Sequence, residues 1–195
     1  MGLDQPSVIV LAGPNGAGKS SVAPSLLAGA LAITEFVNAD VIAAGLSAFN
    51  PEQHSLEAGR MMLERLRDLA KHRANFAFET TLASRTFAPW IKGLIESGYA
   101  FHLLFLWLPS EEHAVLRVRE RVQQGGHNIP EETIRRRYHR GILNFFSLYQ
   151  PLATSWRVYD NSHRSGPRLV ASGGVNMVQS IVDNVVWEKI VKETK

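Results

Sequence analysis

The segment Gly13-Pro14-Asn15-Gly16-Ala17-Gly18-Lys19-Ser20 constrains this chain more than any other. It fits the spacing GxxxxGK[ST] and lies between a short aliphatic run, Val8 to Ala12, and a helix-compatible stretch from Lys19 to Leu27. A glycine-rich turn in that setting lets backbone amides point inward as an anion nest. The helix that follows aims the positive end of its dipole at the same spot. Lys19 then reaches the β- and γ-phosphate oxygens of a nucleotide, and the Ser20 hydroxyl serves Mg²⁺. The expected nucleotide-binding residues are Gly13, Asn15, Gly16, Ala17, Gly18, Lys19, Ser20 and Ser21, with Ser20 the metal ligand. The alternative is a chance glycine turn before a surface helix; average residue usage makes such a match rarer than about one chain in a hundred at this length.

Further along, short apolar runs alternate with helical patterns. Glu35 to Val37, Phe76 to Phe78, Phe101 to Leu108 and Trp156 to Tyr159 read as strands, and Leu169 to Ala171 as a short extra one. Asn50, Pro51 and Gln53 form a helix start, and Leu56, Met62, Leu63, Leu66 and Leu69 recur at helical spacing to about His72. Thr86 to Ser97 reads as a helix stopped by Gly98, and Ser110 as the cap of one stopped by Gly125-Gly126. Pro130, Glu131 and Glu132 open another helix, and Val175, Val178, Val182, Val185 and Trp187 point to a closing one. The run 101 to 108 is apolar on both faces, as an interior strand of a parallel sheet requires. The alternation predicts an α/β fold with a mostly parallel sheet in a single domain over residues 1–195.

Composition excludes several classes. With no cysteine among 195 residues, disulfide frameworks, thiolate metal sites and cysteine nucleophiles are absent. The longest apolar stretch is far short of the roughly 20 residues that span a bilayer, and Met1 to Pro6 lacks an export pattern, so a cytoplasmic location without membrane contact is expected. A net charge of +3 argues against nucleic-acid binding driven by bulk electrostatics. His127, His139 and His163 have no metal-ligand spacing.

Two carboxylates follow predicted strands on the side where doubly wound sheets hold ligands. Asp40 is placed to accept the proton of a hydroxyl attacking a γ-phosphorus, against a competing role as the cap of a helix over 41–46. Glu79, with Thr80 and Thr81 beside it, is placed to hold a metal-bound water or orient the substrate, against a cap or lone surface role. Paired acids near a phosphate loop favour transfer to an alcohol over hydrolysis. The densest positive charge lies at 117–140, where Arg117 and Arg121 share a helical face and Arg136 and Arg140 form a stripe. With Gly125-Gly126 as a hinge, this segment is expected to be a lid carrying guanidinium groups over the transferring phosphoryl, Arg121 foremost. The competing reading is a solvated face paired with Glu120, Glu131 and Glu132. A basic helix also suits RNA or DNA, but Tyr138, Phe145, Phe146 and Tyr149 recur as a core stripe rather than a stacking platform.

The phosphate loop resembles that of ABC transporter ATPases. Against that family, Ser172-Gly173-Gly174 is only a fragment of its signature sequence, and the run 101 to 108 ends in Pro109 and Ser110 rather than an acidic pair. The ordered set GPNGAGKSS (13–21), FVNADVIA (36–43), FAFETTL (76–82), RVRERVQQGGHNIPEETIRRRY (117–138) and WRVYDNS (156–162) resembles the zeta-toxin-like branch of the small-molecule P-loop kinases. That resemblance implies a nucleotide-kinase-like core with a five-stranded parallel sheet, a mobile arginine lid, and ATP with Mg²⁺ as phosphoryl donor. It carries over Lys19 and Ser20 to donor and metal, Asp40 to base, Glu79 to the substrate side and Arg121 to the lid. It also implies a small-molecule hydroxyl acceptor such as UDP-N-acetylglucosamine and an antitoxin-type protein partner. Where those toxins commonly place a lid arginine, this chain has His127, leaving Arg136 or Arg137 to substitute. With one helix expected after the fifth strand, there is little room for an elaborate nucleotide-sugar subdomain. A nucleotide-dependent switch and a polynucleotide-directed ATPase or kinase are the competing functions.

Overall fold

The computed structural model describes residues 5–30, 33–126, 128–163, 165–175 and 177–194. Seven strands form one sheet: β1 (Ser7–Ala12), β2 (Glu35–Val37), β3 (Phe76–Thr80), β4 (Ala100–Trp107), β5 (Ser155–Asp160), β6 (Arg168–Gly174) and β7 (Met177–Ile181). Their order is β2-β3-β1-β4-β5-β6-β7. The first five in that order run parallel; β5, β6 and β7 pair antiparallel. The helices are α1 (Lys19–Ala23), α2 (Ala39–Leu46), α3 (Ser55–Lys71), α4 (Phe87–Glu96), α5 (Glu111–Gln123), α6 (Glu131–Asn144) and α7 (Asn184–Lys192). This is an α/β P-loop kinase-like fold.

Strand β4 is interior because almost every one of its side chains is apolar and buried, leaving helices to cover both faces. β1 lies between β3 and β4, with Leu11 opposite Glu79 and Leu104. The parallel strands therefore end on one edge of the sheet, and their carboxyl ends deliver the phosphate loop, Asn38, Glu79 and Asn161 to a common cleft. In α3, Met62, Leu66 and Leu69 are buried as their spacing requires, whereas Leu56 is 78% exposed and outside the core. Asn50 makes no cap bond; Pro51–His54 forms a 3₁₀ turn leading into α3. Helix α1 passes at Pro24 into a wider π-type turn over Pro24–Ala30.

The extra strand expected at Leu169 to Ala171 is present as β6, while β7 and a shorter closing helix depart from the expected five-stranded sheet and long final helix. Val175, Val178 and Val182 belong to the β6–β7 hairpin, and α7 begins only at Asn184 behind the Asp183 cap. The valines at 175, 178 and 182 are spaced three and four apart, as on a helix face, so tertiary pairing with β6 overrides the local period here. Helix α7 docks through Trp187, which stacks on Trp156 at 5.7 Å between ring centroids and 11° between planes. The aromatic stripe is core as expected: Tyr138, Phe145 and Tyr149 are fully buried. Among the described residues no helix is long and apolar enough to cross a membrane.

Candidate active site

The loop between β1 and α1 is held in shape by its glycines and by one distant side chain. Gly13, Gly16 and Gly18 have φ of 144°, 80° and 77°, a region that side chains with a Cβ rarely adopt. A Cβ on Gly13 would run into the Leu106 carbonyl, and one on Gly18 would stand 2.8 Å from Asn161 Nδ2. That amide donates to Ala17 O at 2.7 Å, and the Asn161 backbone N–H donates to Trp107 O at 3.1 Å. The end of β5 thus clamps the loop to the sheet.

Lys19 is buried, with Nζ donating to the carbonyls of Gly13 at 2.9 Å and Pro14 at 3.0 Å and standing 3.6 Å from Glu79 Oε1. Burial pulls its ammonium below the ordinary lysine value, and the charges of Glu79 and Asp40 act against that shift. Glu79 Oε2 accepts from Ser20 Oγ and from Asn38 Nδ2, both at 2.8 Å. Glu79 is therefore neither a cap nor a lone surface group; it joins β3 to the phosphate loop and to the end of β2.

Asn38, not Asp40, caps α2: its Oδ1 accepts from the amides of Asp40 at 2.8 Å and Val41 at 3.4 Å. The competing role for Asp40 as a cap is thereby removed, and its exposed carboxylate faces the cleft. That cleft has a volume of about 280 Å³ and brings together Asn15, Gly16, Gly18, Lys19, Ser20, Ser21, Asp40 and Glu79 with Arg117, Glu120, Arg121 and Gln124 of the α5 region. Of the remaining expected loop residues, Gly13 stands at the turn entrance, and Ala17 is buried beneath it.

The arginines divide by environment. Arg121 lines the cleft, and Gly126 folds so closely over it that a Cβ there would be 2.6 Å from Arg121 Cγ. Arg117 also lines the cleft and donates to Ser162 O at 2.9 Å. Arg137 is half-buried, with Nη1 3.5 Å from Asn15 Oδ1; burial lowers its pKa, with Asp40 opposing and Arg136 adding to the shift. Arg136 and Arg140 are exposed, and neither lines the cleft. Arg135 is committed to Glu111, Glu112 and Glu131 at 2.7 to 2.9 Å, and Arg119 to Glu131 at 2.6 Å. His127, at the position where the family resemblance would put a lid arginine, lies outside the described residues.

Sequence reasoning missed Asn38 and Asn161 as working parts of the site. Both are buried asparagines directly after strands, a placement that marks them once burial is known.

Fold and site together define a P-loop kinase-like domain. The chain belongs to the AAA_33 family (AAA domain), which it matches over residues 8–140. It is 30% identical over 134 residues to an uncharacterised protein of Haemophilus influenzae, covering 69% of this chain and 94% of that one. Among solved structures, it is similar to the AvrRxo1-ORF1:AvrRxo1-ORF2 complex with sulphate ions (TM-score 0.73, 17% identity, 98% of this chain) and spans 65% of the matched chain. It is also similar to a structure of the PezAT chromosomal toxin–antitoxin system of Streptococcus pneumoniae (TM-score 0.68, 16% identity, 96% of this chain and 79% of that one). A putative kinase from Chloroflexus aurantiacus follows (TM-score 0.55, 15% identity, 68% of this chain and 79% of that one). At these identities the likeness is one of fold.

Proposed function

We propose that this protein is a Mg²⁺-dependent phosphotransferase that moves the γ-phosphate of ATP to a hydroxyl of a small molecule. The observation that carries the reading is the single cleft in which Lys19 and Ser20 of the phosphate loop face Asp40 and Glu79. A structure of the AvrRxo1-ORF1:-ORF2 complex with ATP shares this fold (TM-score 0.70, 18% identity, 98% of this chain) and supports ATP as the nucleotide.

Residues 13 and 15–21 cradle the phosphates, and Lys19 leaves its loop carbonyls for the β- and γ-oxygens. The donor set suits a hard cation: Ser20 Oγ and Glu79 Oε2 are adjacent oxygens beside the nest, and Mg²⁺ needs few protein ligands beside phosphates and waters. Ser20 would hold the ion directly and Glu79 through water, and the ion supplies charge neutralisation on the phosphate oxygens. Asp40 takes the proton of the acceptor hydroxyl as its oxygen attacks in line. Arg121, with Arg117 and Arg137, neutralises charge on the equatorial oxygens, and residues 117–140 act as a lid turning at Gly125-Gly126. An antitoxin-type protein partner belongs to this reading, supported by the fold shared with chains from two-protein complexes. The family resemblance puts UDP-N-acetylglucosamine among the acceptors to assay, as the representative of phosphate-bearing alcohols.

The test is Asp40→Asn. Its kcat for acceptor phosphorylation should fall by about 10²- to 10⁴-fold while ATP affinity measured by calorimetry stays near that of the parent protein. Wild-type phosphorylation by the variant removes Asp40 as the base. ATP turnover that no acceptor alters favours the nucleotide-dependent switch.

A further inference from the structure

We infer that the acceptor is an alcohol without a phosphate group: a neutral molecule with an apolar body and one reactive hydroxyl. The inference rests on the kinase reading above and concerns the other half of the same site. Asp40 also lines a second groove, of about 300 Å³, at the lower end of the range of small-molecule sites. Its walls are Ala43, Ala44, Ala48 and Pro51 from the α2 region and the Gly125-Gly126 turn between α5 and α6. Among the described lining residues, the polar side chains are the Asp40 carboxylate and the Ser55 hydroxyl, with no lysine or arginine.

The two halves of the site differ in charge: the phosphate cleft carries cations together with Asp40, Glu79 and Glu120, whereas the described walls of the groove carry the Asp40 carboxylate alone. Lys19, Arg117 and Arg121 line the donor cleft, and Arg137 leans toward Asn15 of the phosphate loop. A phosphate-bearing acceptor would have to set its anion beside Asp40 with no counter-cation from that wall. The amides at the start of α2, the remaining ready-made anion site, are already taken up by the Asn38 side chain. Apart from Asp40, the described walls are small and uncharged, which suits an apolar body.

In the reaction the acceptor oxygen forms a bond to the γ-phosphorus as the bond from that phosphorus to the β–γ bridging oxygen breaks. The electron pair of the broken bond leaves with ADP, and the hydroxyl proton passes to Asp40.

Saturation-transfer NMR on the full chain, with Mg²⁺ and a non-hydrolysable ATP analogue, tests this. It uses matched sets of neutral alcohols (diols, polyols, neutral glycosides) and phosphate-bearing ones (sugar phosphates, UDP-N-acetylglucosamine). Contacts are expected in the neutral set, weakened about tenfold in Ala44→Phe, and the neutral ligands should be phosphorylated when ATP replaces the analogue. Ala48→Phe repeats the experiment if Ala44→Phe does not fold. Ala44→Arg should bring in phosphate-bearing alcohols that the parent protein refuses. The inference is overturned if no neutral alcohol binds, or if phosphate-bearing alcohols bind the parent protein as strongly and are displaced by Ala44→Phe. Failure of the ATP analogue to bind strikes the kinase reading instead, and alcohol binding is then read without nucleotide.

Discussion

Lys19 shows how a single side chain can be costly to the fold and necessary to the site. Its lowered pKa means that burial of the ammonium outweighs the attraction of Glu79 and Asp40. A depressed lysine pKa places that cost on the charged form, so it is present at neutral pH and disappears only in alkali. Lys19→Met should therefore weaken ATP binding by on the order of a hundredfold in calorimetry while leaving Tm equal or higher. Asn161 behaves oppositely, because its amide satisfies the Ala17 carbonyl inside the loop. Asn161→Ala leaves that carbonyl unpaired, and denaturant titration should show a loss of about 1–3 kcal/mol together with weaker ATP binding. That Lys19 and Ser20 line the cleft follows from the glycine-loop spacing, and that Asp40 and Glu79 do so follows from their positions at strand ends, both of them local features of the sequence. Asn38 and Asn161 were not legible in this way, because asparagine after a strand is an ordinary turn residue until its partners 41 and 144 positions away are known.

At the level of elements, α5 and α6 are joined by ion pairs centred on Arg135. These pairs are largely solvent-accessible, so their effect should be modest and screened by salt. Arg135→Ala is expected to lower Tm by a few degrees at low ionic strength, with the difference shrinking in molar salt. The arginine run at 135–137 illustrates why charge density alone did not assign roles. Residues about 100° apart on a helix meet three environments: glutamates, solvent and the phosphate loop. The C-terminal hairpin gives the complementary lesson. Gly173 sits where a Cβ would strike the Met177 carbonyl and the Trp156 ring, so the glycines after Ser172 serve strand reversal over a tryptophan rather than a nucleotide signature. Gly173→Ala should cost about 1–3 kcal/mol in denaturant titration without altering ATP affinity.

Over the whole molecule, the last described turn is tied to the centre of the sheet. The Tyr138 hydroxyl lies 2.9 Å from Leu108 O and 3.1 Å from Glu193 Oε1, joining α6, the end of β4 and the end of α7. Burial raises the Glu193 pKa, with Tyr138 opposing the shift. A raised carboxylate pKa penalises the charged form, so the penalty is present at neutral pH and absent below the unfolded value of about 4.3. Glu193→Gln should therefore raise Tm at pH 7, with the gap to the parent protein closing near pH 4. The parallel core and the phosphate loop were readable from residue order, because strand alternation, glycine spacing and capping are local properties of the backbone. Folding alone settled β7 and its pairing with β6, the arginine that approaches the loop, the release of Asp40 from capping and the groove beside it. Each of those depends on which distant side chains come within a few ångströms, a relation that no periodicity along the chain encodes.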